Sequence, residues 1–146
     1  MSGRGFSRAF TLLVSLLFIP WAWADLAIIV HPDNPQQSIS KHELRLIFLG
    51  RMPLFPTSGE EIIAFDLPES DSDYETFYRN VVELEGTRLK RYRAYYLFSG
   101  RGKLPRPTDS NATILQQVAD NERAIGYVDS RLVNEKVKVL LTLPER

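Results

Sequence analysis

Residues 62–77 decide the fold of this chain, and they read IIAFDLPESDSDYETF. A short apolar strand over 62–65 leads into the polar loop 66–71, and a helix begins at Ser72. A strand that feeds such a loop into a helix N-terminus is a common anion site, because the first helical turn carries unpaired N–H groups and the positive end of the dipole. This loop is acidic, however, so the stretch predicts the geometry of an anion site with charges that oppose an anion.

Residues 1–24 have the pattern of a secretory signal peptide. Arg4 and Arg8 precede an apolar run over 10–19, and Ala22-Trp23-Ala24 is a small-residue cleavage signal. Ten apolar residues closed by a proline are too few for the roughly 20 that a membrane-spanning helix needs. We therefore expect cleavage near Ala24, one domain over 25–146, and a periplasmic or secreted product.

Charge and composition exclude several classes of function. The chain has 18 basic and 18 acidic residues, and loss of Arg4 and Arg8 leaves a small acidic excess. A nearly neutral exported domain has no global field that favours nucleic acid, so no nucleic-acid partner is expected. The absence of cysteine from the sequence excludes disulfides, thiolate metal sites and cysteine catalysis. We predict no cofactor.

The rest of the chain alternates strands and helices. The unbroken apolar run over 26–30 is typical of a strand buried on both faces of a sheet. Serines followed three residues later by glutamate predict capping boxes, at Ser40 for a helix over 41–49 and at Ser72 for a helix that ends before residue 86. Further helices are expected after Thr87 and after Ser110 or Asn111, and further strands over 124–128 and 137–141. This order predicts an α/β fold with a small mixed sheet flanked by helices.

Four segments occur in the order found in the phosphate-receptor-like family of periplasmic solute-binding proteins, and the chain resembles that family. They are 38–51 (SISKHELRLIFLGR), 62–65 (IIAF), 98–105 (FSGRGKLP) and 124–128 (AIGYV). The resemblance implies a type II periplasmic binding protein fold, of which residues 25–146 supply about one of two lobes. It also implies a small oxyanion such as phosphate as ligand, and an ABC importer or another envelope or membrane protein as partner.

The loop after the second strand departs from the family pattern. Family members have R-x-D-G-S-G-T there, which offers hydroxyls, backbone N–H groups and an arginine to the anion, whereas this chain has FDLPESDSD over 65–73. Asp71 and Asp73 would repel a nearby phosphate by about 1–4 kcal/mol, depending on screening. That repulsion offsets the roughly 0.3–1 kcal/mol that an exposed helix N-terminus contributes. High-affinity phosphate binding is therefore not expected.

The candidate ligand contacts are Ser70 and Ser72 in the acidic loop, and Gly100 and Arg101 in the turn 99–103. Two glycines in that turn allow close backbone approach, and two cations flank them. The alternative is a flexible turn after a helix. The two histidines, His31 and His42, are not spaced as metal ligands, so no metal site is predicted.

Acidic and basic residues are segregated along the chain. Residues 52–78 contain seven acidic residues and no basic one, and residues 88–106 contain seven basic residues and no acidic one. The two segments could orient the protein toward a charged partner, form an internal electrostatic clasp, or be the solvated faces of two helices. Within the basic segment, aromatic side chains are expected to pack into the core beneath snorkelling arginines: Tyr92, Tyr95, Tyr96 and Phe98.

No arrangement of residues supports catalysis. The chain has no G-x-S-x-G nucleophile elbow and no evident Ser/His/Asp set, so we predict that it is not an enzyme. Two hypotheses remain. The first is a solute-binding or accessory protein that either binds a small anion weakly or acts as a partner-binding accessory to a membrane or envelope system. The second is a true oxyanion-binding component of an ABC importer, with a cleft completed by dimerisation.

Overall fold

A computed structural model describes residues 25–144 and the isolated Gly3, so the predicted signal peptide lies outside the described residues. Five strands form one mixed sheet in the order β3-β2-β4-β1-β5. The second strand runs parallel to the third and fourth, and the first runs antiparallel to the fourth and fifth. The strands are β1 (Leu26–Val30), β2 (Ile63–Asp66), β3 (Arg106–Pro107), β4 (Ala124–Asp129) and β5 (Lys138–Leu143).

Helices connect these strands, and their starts follow the capping chemistry of the sequence. Ser40 forms the predicted capping box with Glu43, and Ser110 caps the last helix through its bond from the Thr113 N–H. The helices are α1 (Lys41–Phe48), α2 (Ser72–Phe77), α3 (Gly86–Phe98) and α4 (Asn111–Asp120), with a π-helical turn (Tyr78–Val82) after α2 and a 3-10 turn (Ser130–Leu132) after β4.

Two predicted caps are wrong. Asp71, not Ser72, caps α2, because its carboxylate accepts the N–H of Asp73. Residue 87 does not cap α3, which begins one residue earlier with no side-chain cap at Glu85. The two-residue strand β3 was not predicted, because Pro105 and Pro107 indicated an open segment.

The core lies around β1 and β4, whose residues are all buried. The Phe77 and Tyr127 rings stack with their centroids 3.9 Å apart, and Phe48 meets Phe77 edge-on at 4.7 Å. Helix α4 crosses β4 at Gly126, where an added Cβ would lie only 2.5 Å from the Ile114 side chain. All five strands and this core lie within residues 25–144.

A contact between α3 and the end of α1 sets the position of the turn 99–103. The hydroxyl of Tyr92 donates to the Leu49 carbonyl at 2.6 Å, and that of Tyr96 donates to the Gly50 carbonyl. Gly50 and Gly102 both have positive φ and lie against the Tyr96 side chain, where a Cβ would come within 2.7 Å of the ring at Gly50 and of the hydroxyl at Gly102. The turn is therefore held against the end of α1.

Candidate functional site

A cavity of about 590 Å³ lies at the carboxyl ends of β2 and β3. Parallel strands bring their carboxyl ends to one edge of a sheet, and α/β proteins commonly bind ligands there. Asp66 ends β2 and Pro107 ends β3, and both line the cavity. Its remaining walls come from the loop after β2, from α2 and α3, and from the segment before β3: Leu67, Pro68, Glu69, Tyr74, Arg93, Leu97, Gly102, Lys103, Leu104, Pro105 and Arg106.

A buried carboxylate, Asp66, forms the inner end of this cavity. Its Oδ2 accepts hydrogen bonds from the Tyr78 hydroxyl at 2.6 Å and from Arg93 Nη2 at 3.3 Å. Its Oδ1 accepts a bond from the Tyr127 hydroxyl at 3.0 Å. The three partners come from the π-helical turn, α3 and β4, so the carboxylate links these two helical segments to the sheet.

The guanidinium of Arg93 donates its hydrogen bonds within the same network. Nη2 also donates to the Tyr78 hydroxyl at 2.8 Å, and Nη1 donates to the Tyr74 hydroxyl at 3.0 Å. The carboxylate of Glu69 lies 3.6 Å from Nη1, and the guanidinium carbon lies 5.0 Å from the centre of the Tyr78 ring. Protein acceptors therefore surround the cation that an incoming anion would need.

Burial changes the proton affinity of the network. It raises the pKa of Asp66 from 3.8 to about 6, because desolvation outweighs the hydrogen bonds from Tyr78 and Tyr127 and the charge of Arg93. Burial also raises the pKa of Tyr78 and Tyr127 well above the usual range, so both phenols stay neutral and can donate. Arg93 is less deeply buried and keeps its positive charge.

The other cations of the cavity belong to its exposed rim. Lys103 donates to the carboxylate of Glu61, and this hydrogen bond lowers the pKa of Glu61. Arg106 is exposed at the start of β3. The lining carries three cations against the carboxylates of Asp66 and Glu69, so its net charge is close to neutral.

The four predicted ligand contacts lie near this cavity but outside its lining. Ser70 and Ser72 are exposed at the start of α2, and Gly100 and Arg101 are exposed in the turn after α3. The next residues of that turn, Gly102 and Lys103, do line the cavity. Ligand contact by the four predicted residues stays a prediction.

The N-terminus of α2 is weaker as an anion site than the sequence indicated. The helix has only six residues before the π-helical turn, and Asp71 already accepts one of its first N–H groups. The carboxylates of Asp71 and Asp73 stand at this end, where negative side chains stabilise the helix. The carboxylates of the acidic loop therefore already interact with the N-terminus of α2, where an anion would have to bind.

Two expectations about α3 were wrong. Arg93 was expected at the surface, but its side chain is only 22% exposed and reaches Asp66. Tyr95 and Phe98 were expected in the core, but they are 69% and 92% exposed. The spacing of four between Leu89, which is buried, and Arg93 was the available signal that this arginine lies on the inward face.

Some residues of the acidic segment 52–78 form ion pairs with residues of the basic segment 88–106. Arg93 pairs with Asp66 and Glu69, and Lys103 pairs with Glu61, so three ion pairs join residues 88–106 to residues 52–78. The internal clasp is thus the better description of this side of α3. Its other side is solvated.

One group of side chains has the donor types of a metal site. His31, Asp33 and Glu122 bring one ligand atom each to within 4.8 Å of one another. Both carboxylates are exposed, and Nδ1 of His31 already accepts the Asp33 N–H at 3.0 Å. We assign no metal to this group, and the absence of a metal site stays a prediction. Among the described residues, no helix is long and apolar enough to cross a bilayer.

Comparisons with known proteins bear on the fold. No family model and no curated protein matches the chain. Among solved structures, it is similar to an ABC-type phosphate transport receptor from Vibrio cholerae, with 19% identity and a TM-score of 0.65 over 82% of this chain and 46% of the receptor. It is also similar to a phosphate ABC transporter substrate-binding protein with bound phosphate from Clostridium perfringens, with 18% identity and a TM-score of 0.66 over 82% and 45%.

A third similar structure is PstS from Borrelia burgdorferi, with 16% identity and a TM-score of 0.61 over 82% of this chain and 47% of that protein. The chain therefore spans about half the length of these receptors. The predicted α/β class, with one small mixed sheet and flanking helices, is confirmed. At these identities the likeness concerns the fold: the protein has the fold of about half of a phosphate-binding receptor.

Proposed function

We propose that this protein is a non-enzymatic accessory protein of the bacterial envelope, which acts through a partner and does not capture phosphate tightly. The observation that supports this most is the carboxylate of Asp66 at the inner end of the cavity. It holds Arg93 at 3.3 Å from within the chain, where a receptor would need that cation for its ligand. The internal carboxylate takes the place of an external anion.

Electrostatics make this internal anion a strong competitor. A phosphate near Arg93 would lie within a few ångströms of Asp66 and Glu69, and each like-charge contact at 4 Å costs about 1–4 kcal/mol. Displacing Asp66 would strand a buried charge, which is more costly still. The cavity therefore disfavours a dianion at neutral pH.

Titration calorimetry of residues 25–146 with phosphate and sulfate tests this proposal. We expect no heat of binding in the micromolar range for either ion at neutral pH. A dissociation constant below about 10 μM, or about −6.8 kcal/mol, would contradict it. Export of the protein, predicted from residues 1–24, is tested separately by cell fractionation of the full chain.

The second candidate is an oxyanion-binding component that completes its cleft with another copy. The open cavity and the cations on its rim favour it, since Lys103 and Arg106 are both exposed there. In this case Ser70, Ser72 and Arg101 would contact the ligand. Ligand would then promote a dimer in sedimentation. Arg101→Ala would abolish both ligand binding and ligand-promoted dimerisation. A monomer that is indifferent to phosphate excludes this candidate.

A further inference from the structure

Helix α3 presents a surface of mixed chemistry to solvent. Arg91, Ala94 and Phe98 follow one another at spacings of three and four, so they lie along one outward face, and all are exposed. Tyr95 and Leu97 flank this face at 69% and 66% exposure, and Phe98 is 92% exposed. The first half of the face is basic and the second half is apolar. We call it, together with the turn 99–103, the α3 surface.

Lys103 of the α3 surface pairs with Glu61, but four other cations there have no ion-pair partner among the described residues. Within residues 25–144, no ion pair is made by the four exposed cations Arg88, Lys90, Arg91 and Arg101. They stand on both sides of the exposed aromatic end of the helix. A basic rim around exposed aromatic and aliphatic side chains is the composition of segments that lie in the headgroup region of anionic membranes.

We propose that the α3 surface binds the face of a membrane that contains anionic phospholipid, with Phe98, Leu97 and Tyr95 entering the headgroup region. The proposal rests on the proposed function, because it names the envelope component to which the accessory protein attaches. Basic side chains would contact lipid phosphates. The aromatic end of the helix would supply the apolar contact that charge alone does not give.

Charge favours a membrane over a second copy of the chain. Phe98, Leu97 and Tyr95 expose roughly 400–500 Å² of apolar and aromatic surface, and the unpaired cations around it complement an anionic surface. A two-fold interface would also place Arg91 of each copy against the same basic surface, which is repulsive.

Sedimentation with sucrose-loaded vesicles tests the proposal. Residues 25–146, which contain the complete sheet and core, are mixed with vesicles of phosphatidylcholine alone or with added phosphatidylglycerol. We expect binding only to the anionic vesicles, and we expect it to fall as salt is raised. Free phosphate at the same charge concentration should not compete, because the surface recognises an array of headgroups.

Variants locate the binding to the α3 surface. Reversal of Arg88, Lys90 and Arg91 to Glu should reduce partitioning by about 100-fold or more, since each basic residue near an anionic surface contributes about fivefold. Phe98→Ala should also reduce partitioning several-fold, without a change in circular dichroism, because its side chain is exposed. The control for Phe98→Ala is Leu132→Ala, which truncates an exposed apolar side chain outside the α3 surface. The control for the charge reversals is Lys136→Glu, which reverses an exposed cation outside the α3 surface.

The outcomes separate this inference from the proposed function. The membrane proposal is overturned if the protein does not bind anionic vesicles, or if the two controls lose as much vesicle binding as the α3 variants. Either result leaves the calorimetric test of phosphate capture unaffected. A dimer that Phe98→Ala disrupts, or a preference for an acidic protein over vesicles, overturns it in favour of another occupant. Tight phosphate capture would refute the proposed function whatever the vesicles show.

Discussion

Replacement of Asp66 by Asn should change the pH dependence of stability in a way that the structure specifies. Burial raises the pKa of this carboxyl from 3.8 to about 6, so the folded protein holds the proton more tightly than the unfolded chain does. The native state then loses stability relative to the unfolded state as pH rises from about 4 to about 6. A difference of about two pKa units corresponds to about 3 kcal/mol in the free energy of unfolding.

Urea unfolding of wild type and Asp66→Asn at several pH values between 4 and 7 measures the contribution of Asp66 ionisation to the free energy of unfolding. The free energy of unfolding of wild type minus that of the variant should fall by about 3 kcal/mol over the interval, because Asn cannot titrate. Other carboxylates affect both proteins alike and cancel in the difference. Asp33→Asn, which removes an exposed carboxylate, controls for net charge. A difference that stays constant with pH would refute the assigned environment of Asp66.

Three further predictions concern the cavity and the core. Asp66→Asn should bind phosphate at least about fivefold more tightly than wild type at pH 7 in calorimetry, because a repulsion of about 1–4 kcal/mol beside Arg93 is removed; equal affinities would contradict the internal-anion argument. Tyr78→Phe should lower the free energy of unfolding at pH 7 by about 1–3 kcal/mol, since Asp66 loses its 2.6 Å bond; an unchanged value in urea would count against that bond. Gly126→Ala should cost about 1–3 kcal/mol, because the new Cβ meets Ile114 at 2.5 Å; a neutral result would show that α4 shifts freely.

The regular elements could be predicted because their signals are local. The apolar run of β1 and the capping box at Ser40 each report a short stretch of chain, and the structure confirms both. The order of four motifs also indicated the receptor-like fold, which similarity to solved structures confirms. Strand β3 escaped prediction because Arg106 and Pro107 form a strand only when the neighbouring strand β2 pairs with them.

The site itself could not be predicted, because it depends on contacts distant in sequence. Asp66 was read as one more charge of an acidic loop, yet its partners Tyr78, Arg93 and Tyr127 lie 12, 27 and 61 residues away. Only the fold brings these groups together. The exposure of Phe98 was hidden for a similar reason, since a helix shows its buried face only when the packing partners are known.

The internal ion pair between Asp66 and Arg93 also bears on how the protein would respond to nutrient supply. A ligand that binds only the native state stabilises a protein in proportion to the logarithm of its concentration. A protein that carries its own anion has no such dependence. Under the proposed function, its resistance to proteolysis would therefore stay constant while the phosphate concentration rises and falls.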